Sequence, residues 1–254
     1  MPSTPAIILA VFSAAAAGLV GAFALMKRTI LAGDVMSHIA IPGLGLAILW
    51  KINPLVGGGM TLLAGILLIW HLQKSTELSS EAAIGVIFAS SVALGALLIH
   101  STEDLIDALF GGFGNLSSSE FLVGVAVSVF IIGALWFMRN RLIIGLFSPE
   151  LAASAGINLN RMNLGFLLVF GLAILVSLRF LGALLVGSLI IIPASAARQL
   201  THSLGNFLIT SIALSVVSML LGFWFSAQYG LAQGPTIVVV AAAIFALSLL
   251  KPKR

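Results

Sequence analysis

The chain has 254 residues, of which 60% are hydrophobic and only 8% charged, where an ordinary soluble domain carries about 25% charged residues. At a mean hydropathy of +1.20 the apolar surface cannot be hidden inside a soluble fold, so lipid must cover it, which excludes a soluble enzyme, a nucleic-acid binder and a disordered chain. The net charge of +4 fits basic residues that mark inner loops, and the absence of cysteine removes disulfides, thiolate metal sites and cysteine nucleophiles.

The apolar runs are continuous and lack the period-two alternation of a membrane barrel. The expected fold is therefore all-α, a polytopic transmembrane helical bundle forming one domain over residues 1–254. A spanning helix needs about 20 apolar residues. Such runs fall at 5–26, 30–50, 55–73, 82–100, 120–138, 164–179, 181–197, 206–227 and 235–250. That makes nine spans, or eight if 164–197, interrupted by Arg179 and Gly182, holds one helix and a re-entrant piece. The first run is followed, not preceded, by its charges (Lys27 and Arg28), so it reads as a retained helix and not a cleaved signal. With the N-terminus outside and alternating spans, ten basic residues fall inside and two, Lys51 and Arg179, outside, a strong positive-inside bias.

Within the second run, Asp34 is the one acid inside an apolar span. An ionisable group at membrane depth is costly and so a functional candidate. His38 follows four residues later, on the same helical face. Pro42 cannot donate to the carbonyl of His38, so the helix should kink or open there. Gly43 and Gly45 allow close helix approach or further unwinding. Carboxylate, imidazole and a loosened carbonyl suit a divalent cation such as zinc, manganese or iron(II). The same pair could instead act as packing glue or as a proton relay. His71, His100 and His202 fall near span ends, where a half-solvated imidazole costs little.

Two stretches lie outside the spans. On the outer side, 101–119 carries an apolar patch, Leu105 to Phe113, read either as a surface loop or as a docking surface. Ser117 with Glu120 fits a capping box opening the next helix. On the inner side runs Arg139 to Asn163. Ser148, Pro149 and Glu150 make a good helix start, and Gly156 a good stop. A helix of about two turns is marginal in water, so headgroups or a partner must hold it. No GxxxxGK(S/T) segment occurs, so any ATPase must be a separate subunit.

Several segments carry a resemblance when taken in order: Gly33-Asp34-Val35-Met36-Ser37-His38 with Pro42-Gly43, Glu81-Ala82-Ala83-Ile84-Gly85, Leu109-Phe110-Gly111, Phe147-Ser148-Pro149-Glu150-Leu151-Ala152, the run from Val186 to Arg198, and Gln233-Gly234-Pro235. Over nearly its whole length the chain resembles the membrane permeases of ABC-type zinc, manganese and iron(II) uptake systems, and is most similar in look to bacterial zinc permeases. The resemblance implies a multi-pass permease of the bacterial inner membrane, not an enzyme in itself. It implies a homodimer, two cytoplasmic ATP-binding subunits and an extracytoplasmic metal-binding protein. It makes Asp34 and His38 the pathway residues, with Pro42 and Gly43 at the kink. The short helix of Ser148, Pro149, Glu150, Leu151, Ala152 and Ala153, closed by Gly156, becomes the ATPase-coupling helix. The metal would be cargo, with no permanently bound cofactor. Zinc is the first expectation, with manganese or iron(II) as alternatives, and an ATPase-independent cation or proton-coupled carrier is the reading from another class. The outer loop, Gly112-Phe113-Gly114-Asn115, departs most from the family pattern.

Overall fold

The computed structural model describes residues 4–29, 31–75, 80–99, 117–182 and 185–250. Among these residues every regular element is an α-helix: α1 (Thr4–Met26), α2 (Leu31–Ile39), α3 (Ile41–Trp50), α4 (Pro54–Ser75), α5 (Ser80–Leu98), α6 (Ser118–Phe147), α7 (Pro149–Ser154), α8 (Leu159–Leu181), α9 (Val186–Leu200), α10 (Leu204–Tyr229) and α11 (Gln233–Ser248). The outer patch at Leu105 to Phe113, Gly112 to Asn115, His100, and the side chains of Asp34, Glu81 and Arg179 lie outside the described residues.

Among the described residues, five helices are long and apolar enough to cross a bilayer unaided: α1, α4, α6, α8 and α10. Four further apolar stretches, Val35–Trp50, Ala82–Leu98, Val186–Leu200 and Gln233–Ser248, are shorter. The most enclosed long helix is α1. It packs against α6, α8, α9 and α10. Its alanines favour the helix, and its glycines admit the neighbours. A Cβ at Gly21 would strike the carbonyl oxygen of Ile190 in α9, and one at Gly18 would meet the backbone of Ser211 in α10. Ser211 uses that approach to donate its hydroxyl to the Gly18 carbonyl (2.6 Å). Small residues at helix crossings are how membrane bundles replace the missing hydrophobic drive. In contrast, α6 is the least enclosed of the five and shows Leu122, Phe130 and Phe137 outward.

Two boundaries differ from the sequence expectation. The span expected at 120–138 runs on to Phe147, 30 residues in all, or about 45 Å. Arg139 and Arg141 therefore sit on the helix and not in a loop. Their guanidinium groups lie over the rings of Trp136 (4.2 Å) and Phe137 (5.9 Å). These contacts let the helix carry two charges past the bilayer edge. The 164–197 region does hold two helices, the first ending at Leu181 with Gly182 as its cap and the second beginning at Val186. Gly182 has φ +67°, and its N–H bonds the Leu178 carbonyl (2.8 Å).

Helix ends meet in two clefts. The ends of α1, α6 and α9 and the start of α10 line one cleft. The start of α4 meets the start of α6 in another. The left-handed cap after α1 is Arg28, with φ +56°, held by Thr29 N–H on the Ala24 carbonyl (3.0 Å). Glycine is the ordinary residue for such a cap.

Candidate functional site

The Asp34–His38 segment falls on α2, which is packed against α4, α5, α8 and α9 in the bundle interior. Gly33 is needed for this, because a Cβ there would press on the Phe170 ring. Met36 and Ser37 are buried and His38 is half-buried. The imidazole stands edge-on to Phe88 of α5 (5.2 Å between centroids, 71°). Its Nδ1 lies 3.3 Å from the Ser37 hydroxyl. Asp34 is one helical turn earlier on the same helix.

The expected break beside His38 is present. The chain leaves α2 at Ala40, and Pro42 enters α3 in its first turn. Ala40 N–H reaches back only three residues, to Ser37 (3.3 Å), before Leu44 N–H restarts the ladder on Ala40 (3.0 Å). Pro42 supplies no donor to the carbonyl four residues back. Of the two uses expected for Gly43, the structure shows close approach. Its Cβ would strike the Gly57 carbonyl and the Thr61 hydroxyl of α4, and a Cβ at Gly57 would strike the Gly43 carbonyl in return. The site is thus an interior helix, interrupted at Ala40 and followed by a glycine crossing that clamps α3 to α4. No group of three or more His, Cys, Asp or Glu gathers among the described residues.

The second expected feature also forms. Ser148 ends α6, donating its N–H to Ile144 (2.9 Å), and opens α7 by accepting from Leu151 N–H (3.4 Å). Pro149 is in the first turn of α7 and Glu150 follows it. Gly156 turns the chain with φ +72°, and Ile157 N–H closes on Ala152 (2.8 Å). Asn158 then caps α8 through Arg161 N–H (3.0 Å). Ala152 is buried against the bundle, while Leu151 is 63% exposed and Phe147 73%. A well-capped helix of fewer than two turns presents Leu151 to solvent beside the exposed Phe147. Ser117 and Glu120 likewise form the reciprocal capping box (3.1 and 3.2 Å).

Sequence reasoning missed a polar knot at the same end. Lys27, just past α1, donates to Asn163 of α8 (2.8 Å) and lies over the Phe166 ring (4.7 Å). Asn163 in turn donates to Gln73 of α4 (3.5 Å). Gln73 and Asn163 sit among other polar residues at their helix ends, His71 and Lys74 in α4 and Asn160 and Arg161 in α8, so nothing in the sequence singled them out. Burial lowers the Lys27 pKa from 10.5 to about 8. The unfolded chain therefore holds this proton to higher pH than the folded one. Lys27's contribution to stability is constant below pH 8, rises as pH climbs from 8 toward 10.5, and levels off above. The melting temperature of the purified protein is expected to rise across that window, and Lys27→Met to flatten the rise. An equal slope in the variant would show that other groups carry it.

The structure places an interrupted interior helix inside a bundle of apolar helices, five of them long enough among the described residues to cross a membrane, with a capped short helix at one end. A profile of the ABC 3 transport family matches residues 3–252. The high-affinity zinc uptake system membrane protein ZnuB of Haemophilus influenzae is 31% identical, over 98% of this chain and 97% of the relative. The manganese transport system membrane protein MntC of Listeria monocytogenes is 28% identical, over 98% and 90%. Among solved structures, PsaBC from Streptococcus pneumoniae in complex with Fab superimposes with a TM-score of 0.85 at 26% identity, covering 97% of this chain and 90% of that one. The chain belongs to the ABC 3 transport family. It is a multi-pass inner-membrane permease of an ABC transporter, and not itself the ATPase.

Proposed function

We propose that the chain is the permease of an ATP-driven importer of a divalent transition metal, zinc first and manganese or iron(II) as alternatives. The observation that carries this is the interior helix bearing Asp34 and His38 and broken immediately after them at Ala40. One chain offers two good ligands, whereas zinc in a closed site takes four. Two copies around a two-fold axis would supply two carboxylates and two imidazoles. An N/O site without thiolates holds the ion loosely enough for it to leave. The names of the relatives, one for zinc and one for manganese, support the metal class and leave the ion open.

In this reading the chain crosses the membrane nine times, the four shorter apolar helices completing the five long ones. An external binding protein delivers the ion to the outer end. Cytoplasmic ATP-binding subunits take the α7 turn, and their closure rocks the two copies to switch access from outside to inside. The ion is identified by measuring zinc, manganese and iron together in cells that lack other uptake systems and carry the permease with its partners. If no metal rises above background, the proposal fails.

The coupling role makes its own prediction. Leu151→Arg puts a charge where an apolar side chain stands 63% exposed, so folding should be unaffected while the ATPase is shed. Copurification of the ATP-binding subunit is expected to fall at least tenfold, since charging an apolar anchor costs well over 1.4 kcal/mol. Full retention of the subunit would remove α7 from the interface.

A further inference from the structure

Where α1, α6 and α9 end and α10 begins, the structure leaves a cleft of about 490 Å³. Its floor is apolar, with Leu25, Phe147 and Phe207 among its walls, and its rim carries Arg28, Arg198 and His202. No acid stands among the described residues that line it. All three rim residues are exposed. The Arg198 guanidinium lies 6.0 Å from the Phe207 ring, set toward the cleft. Arg28 holds a left-handed backbone that glycine would adopt more cheaply. The cleft also receives the start of α10, a 26-residue helix whose N-terminal dipole is positive. By the distribution of basic residues this end faces the inner leaflet.

A wall of hydrocarbon beneath a rim of cations, at headgroup depth, complements one kind of molecule. We propose that the cleft seats the phosphate of an anionic phospholipid between Arg28, Arg198 and His202, with its chains along Leu25 and Phe147. A soluble anion would gain nothing from the apolar floor. An acidic segment of the ATP-binding subunit is the competing occupant, and the test separates the two.

The permease, purified with its ATP-binding subunits in mild detergent, would be titrated with phosphatidylglycerol and, separately, with phosphatidylcholine of the same chains, and bound lipid counted by native mass spectrometry. Each basic residue at the headgroups is worth about fivefold. One site per permease copy is therefore expected to prefer phosphatidylglycerol by about twentyfold, and Arg28→Gly with Arg198→Gln to abolish that preference while keeping the ATPase. An unchanged preference in the double variant overturns the proposal. So does loss of the ATPase with lipid preference intact, which would give the cleft to the partner. Glycerol phosphate binding as tightly as the lipid would assign a soluble ligand and overturn it as well. Glycine suits the backbone at position 28, so Arg28→Gly alone serves if the pair does not fold; its expected effect is a fivefold fall, and no fall counts against the site.

Discussion

Cells that depend on this permease for their metal are expected to fall to background accumulation when it carries Asp34→Asn with His38→Gln. Both substitutions keep shape and remove what a cation needs, a negative charge and an imidazole lone pair. In a two-fold site the pair deletes all four ligands at once. Even outer contacts to a metal typically cost ten- to a hundredfold when lost, so at least about a hundredfold in uptake is expected from the ligands themselves. Protein level and retention of the ATP-binding subunit should not change, because Gly33, Met36 and Ile39 of α2 pack in the core and are kept in the variant. Equal metal in variant and wild type would make the pair structural and send the pathway elsewhere.

Gly43→Val is expected to lose the fold rather than the function. The new Cβ would occupy the space of the Gly57 carbonyl, so α3 and α4 must part along their crossing. Overpacking of this sort costs about 3 kcal/mol when a backbone is the obstacle, much of the stability of an ordinary domain. The purified variant should melt far below wild type or fail to leave the membrane as a single species. Gly133→Ala is the control, since nothing lies within 4 Å of a Cβ there, and it should melt at or slightly above wild type. If Gly43→Val behaves like Gly133→Ala, the crossing is not the clamp described above.

Features set by short sequence distance were legible. Ser117 with Glu120, Ser148 with Pro149, and Gly156 each act within one turn, and the structure forms each as expected. Pro42 acts on its own helix, and the break falls beside it. Gly43 could be read only as permissive, because whether a glycine admits a neighbour depends on the neighbour. The far end of α6 was misjudged because Arg139 and Arg141 were weighed as charges; stacked on Trp136 and Phe137, they are helix surface. The Lys27–Asn163–Gln73 knot joins three distant segments and has no local period to betray it. The role of Asp34 rested on chemistry and resemblance alone, and remains the part of the site that uptake in the double variant must decide.

The enclosure of α1 bears on how the molecule is made. This helix leaves the ribosome before all the long helices it packs against, since α6, α8, α9 and α10 begin at Ser118 or later. Ser211, which grips the Gly18 carbonyl, is synthesised 193 residues later. Until then the small-residue face of α1, shaped for close protein contact, must wait among lipid tails that cannot fill it. Assembly therefore closes from the back of the chain onto its front. The translocation machinery inherits the task of keeping α1 available until α10 arrives.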